Sequence, residues 1–293
     1  MKKKVLFEGT ATALITPFAK NGIDFKALEK LLDFQYVNGI SAVVVLGTTG
    51  EPATLTAEEK EAIITLAVRK LKGKIPVIVG VGANNTAQAI KNAREAERLG
   101  ADGLLVVTPY YNKCTQDGLV KHYTAIANST KLPIIAYNVP SRTGVNMLPE
   151  TFAKLAEINN IVGIKEASGN MAQIAKVASL VKDKATLYSG DDGITIPIMS
   201  VGGKGVISVA SNVVPAQVVA MTTAFLKGDY RLARDKQLEM LPLVDALFAE
   251  VNPIPVKKAC ELLGLANGQL RLPLTTATKK TTEKLKRELA KYV

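Results

Sequence analysis

The chain reads as an α/β protein, a closed (β/α)8 barrel of the TIM type followed by a C-terminal helical appendage. Three features predict this. Eight short runs of Val, Ile, Leu and Ala recur about every 20 to 35 residues, and amphipathic helical patterns fill most of the gaps between them. No G-x-G-x-x-G follows the first run, so an open doubly wound sheet, which shares the alternation, lacks its dinucleotide signature.

The expected strands are Gly9 to Ile15, Ala42 to Leu46, Pro76 to Val81, Gly103 to Val107, Pro133 to Tyr137, Val162 to Lys165, Thr186 to Ser189 and Gly205 to Val209. Between them, Thr56 to Lys72, Thr86 to Leu99, Asp117 to Ser129 and Pro149 to Ile158 carry apolar residues at helical spacing, with Thr, Asp or Pro near the first turn. After Lys227-Gly228-Asp229 the alternation stops. The remainder reads as helices broken at Pro242, at Asn252-Pro253-Ile254-Pro255 and around Arg271-Leu272-Pro273. This divides the chain into a barrel of residues 1–228 and a helical domain of residues 229–293.

At 293 residues and 47% hydrophobic, the chain can bury one large core. No segment reaches the run of about 20 apolar residues that spans a bilayer, and the apolar stretch behind the N-terminal lysines is interrupted by Glu8 and Gly9, so a soluble, cytoplasmic protein is expected. Cys114 and Cys260 lie too far apart in sequence to signal a metal knuckle or a disulfide framework and read as free thiols. The net charge of +11 would suit either a nucleic-acid binder or an enzyme that attracts small anions. Lysines alternate with glutamates from Lys91 to Arg98 and from Thr278 to Lys291, and no aromatics punctuate the basic stretches, so nucleic acid is not the expected partner. The three N-terminal lysines read as a solvated end.

Lys165 sits in the apolar run Ile161-Val162-Gly163-Ile164-Lys165-Glu166-Ala167-Ser168, where an unpaired ammonium is costly. Burial lowers an amine's pKa and makes it a nucleophile able to form a Schiff base with a carbonyl; the alternative is a lysine snorkelling from an edge strand. In such a barrel the site lies at the C-terminal strand ends. There the chain carries Gly47-Thr48-Thr49-Gly50-Glu51, Thr108-Pro109-Tyr110-Tyr111-Asn112, Tyr137-Asn138-Val139-Pro140-Ser141-Arg142-Thr143-Gly144 and Ser189-Gly190-Asp191-Asp192. Gly47 to Gly50 offers backbone N–H groups beside two hydroxyls, suited to a carboxylate, though a glycine turn capped by threonine has the same composition. Tyr137 shares a strand face with Ile135 and lies next to the lysine strand, within reach of Lys165; a core tyrosine bonded to a carbonyl is the alternative. Arg142, just beyond its strand, can take an anionic substrate in bidentate fashion or form a surface ion pair. Gly202 to Gly205 reads as close packing at a strand start and His122 as structural, while Glu166 and Asp191-Asp192 read as polar-network carboxylates.

Together these strand ends resemble the family of pyruvate-dependent class I aldolases and lyases that includes the dihydrodipicolinate synthases and N-acetylneuraminate lyases. The resemblance covers essentially the whole chain. It is closest to the dihydrodipicolinate synthase branch, through Gly47 to Glu51, Pro109-Tyr110-Tyr111-Asn112-Lys113, Tyr137 to Gly144 and Gly163-Ile164-Lys165-Glu166. Sialic-acid lyases usually carry Ser-Thr in place of Thr48-Thr49 and lack the arginine. The resemblance implies condensation of pyruvate with L-aspartate-4-semialdehyde to 4-hydroxy-tetrahydrodipicolinate, on the way to diaminopimelate and lysine, through an imine on Lys165 and with no other cofactor and no metal. It further implies that Thr48 and Thr49 N–H groups and the Thr49 hydroxyl hold the pyruvate carboxylate, and that the main chain of Gly190 and Ile207 lines the pocket. Tyr137 would move protons, Thr48 would link it to Tyr111 from a neighbouring subunit in a homotetramer, and Arg142 would bind the semialdehyde carboxylate. A 2-keto-3-deoxy sugar-acid aldolase or N-acetylneuraminate lyase is the alternative within the fold. Of the lysine feedback pocket found in many relatives, Asn84, Ala53 and Tyr110 fit, whereas Pro52, Lys60 and Gln88 stand where sensitive relatives tend to have serine, histidine and glutamate. Feedback is therefore expected to be weak or absent.

Overall fold

The computed structural model describes residue 3 and residues 5–292. All eight apolar runs form strands: Gly9–Ala13, Ala42–Val45, Val77–Gly80, Gly103–Val107, Ile134–Asn138, Ile161–Glu166, Thr186–Ser189 and Gly205–Ser208. Each pairs in parallel with the next, and the eighth returns to pair with the first, closing the barrel. A small antiparallel hairpin, Phe18–Ala19 with Gly22–Ile23, adds an element that has no apolar run of its own.

Every strand is buried on both faces, and the period of two sorts its residues into two separate cores. Ala11, Ala13, Val44, Ile78, Leu105, Ile135 and Ile207 point inward and fill the barrel, whereas Val43, Val79, Leu104, Val106, Ile134, Ile164 and Leu187 meet the helices outside. Leu6 and Phe7, just before the first strand, close the N-terminal mouth. The Phe7 ring stacks on Tyr188 at 4.3 Å, and the Tyr188 hydroxyl donates to the Phe7 carbonyl at 2.7 Å. Closure brings the first and eighth strands so near at Gly9 and Gly205 that a Cβ at 205 would lie 1.8 Å from the Gly9 carbonyl oxygen.

The helices start at chemically marked positions. Thr56 and Glu59 form a reciprocal capping box on Ala57–Leu71, Asn85 caps Thr86–Arg98, and Thr115 caps Gln116–Ala127. The helix at Pro149 stops at Leu155, short of Ile158. Here Lys3 departs from the solvated end expected of the N-terminal lysines: its Nζ donates to the carbonyls of Ala156, Ile158 and Ile161 at 2.5, 2.6 and 2.8 Å. An ammonium with three donors thus ties the turn after this helix to the start of the sixth strand. Lys2 and Lys4 lie outside the described residues.

Pro242 does not break its helix, contrary to expectation, and Tyr230–Leu247 runs through it. The lost N–H and ring clash cost about 3 kcal/mol. Burial of Met240, Leu243, Val244 and Leu247 on the core returns about 1.5 to 3 kcal/mol for each side chain. Asp229 caps this helix directly after Gly228, which is left-handed at φ +86°. The chain then breaks before Ile254–Leu262 and again before Lys279–Leu289. These helices share one hydrophobic cluster with the outer layer of the barrel.

Gly205→Ala should cost at least ~3 kcal/mol, because φ of +151° and the Gly9 carbonyl both oppose a Cβ. Gly73→Ala, with open space around its Cβ but φ of +79°, should cost only about 1 to 2 kcal/mol. Thermal unfolding of the two variants compares them, and equal midpoints would show that the strand contact does not limit closure.

Candidate active site

Alternation along the sixth strand turns Gly163 and Lys165 inward and Ile164 and Glu166 outward. The strand is paired on both sides, with Lys165 in register with Tyr137 and Tyr188, so the lysine has no edge to snorkel from. It is 5% exposed. Its Nζ stands 4.3 Å from the centre of the Tyr137 ring. Gly190 packs flat against the lysine stem, where a Cβ would meet Lys165 Cε at 2.9 Å and Ala167 Cβ at 2.8 Å. Burial pulls the Lys165 ammonium down to about 8, with the Arg142 charge adding to the effect and Asp192 opposing it. Burial also raises the Tyr137 phenol, against the pull of Arg142 and Thr48, so the hydroxyl stays protonated at neutral pH.

The second strand runs into a single 3-10 turn, Thr48–Gly50. The N–H groups of Thr48 and Thr49 head this turn, where helical geometry gives them no internal acceptor. Two left-handed non-glycine residues bracket it, Leu46 at φ +57° and Glu51 at φ +54°. Such residues cost of order 1 to 3 kcal/mol each and need outside support. For Leu46 the support is Gly80, which lets the Leu46 carbonyl come to 2.1 Å from where a Cβ would stand. For Glu51 it is Lys257, fully buried in the helix Ile254–Leu262, whose Nζ donates to Glu51 Oε1 at 2.6 Å and lies 3.9 Å from the centre of the Phe18 ring. Arg271 also packs on Phe18, 4.4 Å from the ring centre, and grips Glu59 with both terminal guanidinium nitrogens.

Arg142 extends from the short helix Pro140–Thr143 after the fifth strand, and its Nη2 donates to the Asn252 carbonyl at 3.1 Å. The side chain of the same Asn252 donates from Nδ2 to Thr49 Oγ1 at 3.0 Å. Asn252 marks only a helix break in the sequence, and Lys257 carries no local sign of its burial; both are brought to the site by the C-terminal helices.

Thr48, Tyr137, Arg142 and Asn252 line a cavity of about 1000 Å³ that extends past Glu51 to Pro52, Ala53, Lys60, Asn84, Gln88 and Tyr110. Lys165 lies against Tyr137, one of the lining residues, with Gly190 packed on its stem, while Thr49 (2% exposed) contacts Asn252. The Gly190 N–H is occupied by the Glu166 carbonyl at 2.8 Å, and Ile207 belongs to the barrel interior, 1% exposed. Tyr111 is the candidate that the single chain does not bring in. It is 91% exposed and left-handed at φ +69°.

The carboxylates read as polar-network groups have that surrounding. Glu166 accepts from Asn138 Nδ2 and the Ser168 N–H outside the barrel, and Asp192 Oδ2 accepts from the N–H groups of Val209 and Ala210. His122 is buried with Nδ1 on the Thr86 hydroxyl. Among the described residues, no group of three or more His, Cys, Asp or Glu is arranged to hold a metal ion.

The model of the Dihydrodipicolinate synthetase family matches residues 6–292. A 4-hydroxy-tetrahydrodipicolinate synthase from Alkaliphilus oremlandii is 54% identical over 286 residues, covering 98% of this chain and 99% of that one. The crystal structure of dihydrodipicolinate synthase from Thermotoga maritima superposes with a TM-score of 0.97 at 46% identity, covering 98% and 99% of the two chains. That of the Acinetobacter baumannii enzyme complexed with pyruvate superposes with a TM-score of 0.94 at 42% identity, covering 97% and 98%. With this agreement in sequence and fold along nearly its whole length, the chain belongs to the dihydrodipicolinate synthetase family.

Proposed function

We propose that the chain condenses pyruvate with L-aspartate-4-semialdehyde to 4-hydroxy-tetrahydrodipicolinate, a step toward diaminopimelate and lysine, using Lys165 as the nucleophile. The observation that carries this reading is a barrel-buried amine, lowered to about 8, lying against a protonated tyrosine, with an arginine lining the same cavity as that tyrosine.

The Lys165 amine adds to the ketone carbon of pyruvate, and loss of water from the carbinolamine leaves a protonated imine. That imine is the electron sink, so the chemistry calls for no metal and no other cofactor. A methyl proton leaves, the resulting enamine carbon attacks the aldehyde, and the semialdehyde's own amine can then displace Lys165 from the imine carbon, closing the product ring and restoring the free amine. Tyr137, over the Lys165 Nζ and kept protonated by burial, gives and takes the protons of these steps. Thr48 and Thr49 hold the pyruvate carboxylate through their free N–H groups and the Thr49 hydroxyl. The absent side chain of Gly190 makes room for the lysine stem, and Ile207 lines the floor. Arg142 receives the carboxylate of the semialdehyde, where a hydroxylated sugar acid would find a cation instead of hydroxyl partners; this separates the synthase from the sugar-acid aldolases.

An aromatic side chain that is 91% exposed in a left-handed conformation supports an assembly in which Tyr111 enters a partner's site and completes a Tyr137–Thr48–Tyr111 relay. We read that assembly as a homotetramer, a dimer of dimers, acting in the cytoplasm without nucleic acid. No helix among the described residues is long and apolar enough to cross a membrane. Residues 1–228 supply the catalytic barrel in this reading, and residues 229–293 the helical domain that braces its second-strand turn.

Borohydride reduction with pyruvate should add one pyruvyl mass to wild type and none to Lys165→Ala, and unreduced wild type should turn over the semialdehyde. An adduct without that turnover would favour a sugar-acid aldolase. The rate of trapping should rise with pH and level off near 8, because the free amine is the reacting form, whereas an ordinary lysine would still be gaining rate up to its usual value of 10.5. Arg142→Ala should raise the semialdehyde KM by roughly tenfold or more while pyruvate trapping stays nearly intact; equal loss of both would contradict the role. Sub-millimolar lysine should leave activity nearly unchanged, since Lys60 in the outer cavity repels a ligand with two ammonium groups.

A further inference from the structure

We infer that Asn252 is a positioning residue for both substrates, turning the Thr49 hydroxyl into a hydrogen-bond donor aimed at the pyruvate carboxylate while its main chain steers Arg142. This deepens the imine reading above and rests on it.

The Asn252 side-chain amide donates to the Thr49 hydroxyl. Thr49 Oγ1 is buried and accepts from Asn252 Nδ2 at 3.0 Å. A hydroxyl that accepts there still carries its own proton, and no protein acceptor takes that proton among the described residues. Thr49 heads the turn whose N–H groups are also free, so one anionic oxygen could collect a hydroxyl and two amides. With the amide reversed, Oδ1 would take the Thr49 proton for itself, and an NH2 group with two donors would fill the buried place where Oδ1 now lacks a partner. The observed orientation leaves Oδ1 and one of the two Nδ2 protons without a protein partner among the described residues, whereas the reversed one would leave both protons so and consume the Thr49 proton as well.

The second contact is made by a different atom. Arg142 donates to the Asn252 main-chain carbonyl at 3.1 Å, so its direction does not depend on the side chain at 252. One residue of the C-terminal helical segment therefore spans the turn after the second strand and the loop after the fifth, and its two links can be cut separately.

Asn252→Ala should raise the pyruvate KM about five- to tenfold and leave the semialdehyde KM within about twofold. Asn252→Asp, nearly the same in shape, should be worse than Asn252→Ala, since a carboxylate captures the Thr49 proton and repels the substrate carboxylate. In a Thr49→Val background, where the hydroxyl is gone, Asn252→Ala should add nothing to the pyruvate KM. An unchanged pyruvate KM in Asn252→Ala, an aspartate variant as good as wild type, or an effect that persists with Val at 49 would each overturn the inference. Calorimetric binding of pyruvate to Lys165→Ala, which forms no imine, should show the same five- to tenfold weakening when Asn252→Ala is added. That result with no borohydride adduct in wild type would count against the lysine role and leave the Asn252 role standing; no weakening would sink the latter.

Discussion

The desolvation of one ammonium governs this molecule. Lys165 lies inside a closed barrel, 5% exposed, among inward-facing aliphatic and aromatic side chains. Much around it follows from holding that group without a direct carboxylate partner among the described residues. Gly190 keeps its place free of a side chain so that the lysine stem fits, the Phe7–Tyr188 stack shuts the N-terminal mouth, and the Tyr137 ring offers its face to the nitrogen. Asp192 acts only through space and spends its hydrogen bonds on the N–H groups of Val209 and Ala210, so it partly offsets the desolvation without neutralising it. A direct ion pair would favour the charged form and silence the amine as a nucleophile.

The second constraint is the strained turn from Leu46 to Glu51. Two left-handed residues in six would be an unfavourable loop on their own, and the barrel alone supports only the Leu46 side, through Gly80. The Glu51 side depends on the C-terminal helices, which send a fully buried lysine, Lys257, to its carboxylate. Such a pair is costly to desolvate and costlier to break, since either partner alone would be an uncompensated buried charge. The helices after residue 228 thus belong to the site mechanically as well as by packing, because the turn they brace presents the N–H groups of Thr48 and Thr49.

Several parts of this arrangement are legible in the chain itself. The eight β-branched runs become eight strands, differing from expectation by one or two residues at most ends, and the Lys165 run is buried on both faces as its composition demands. The period of two puts Ile135 and Tyr137 on the inner face together. Departures arise where distant packing outweighs a local rule. Pro242 stays helical because its flanking apolar residues bury on the core, and Lys3 is drawn to the carbonyls of Ala156, Ile158 and Ile161, about 150 residues further along. The small hairpin at Phe18 lacks any run to announce it, and its ring meets Lys257 and Arg271 from the C-terminal segment.

By itself the sequence determined which residue types stand at which strand ends, which face each takes, and that one lysine sits within an apolar run, since hydrophobic periodicity and strand length act over a few residues. Only the tertiary structure decided what those residues meet. Tyr137 and Gly190 reach Lys165 through neighbouring strands, Arg142 and Thr49 share Asn252, and Glu51 meets Lys257, all by contacts across tens to hundreds of residues. No local pattern encodes such pairings, because they arise from barrel closure and from the packing of the C-terminal helices against it.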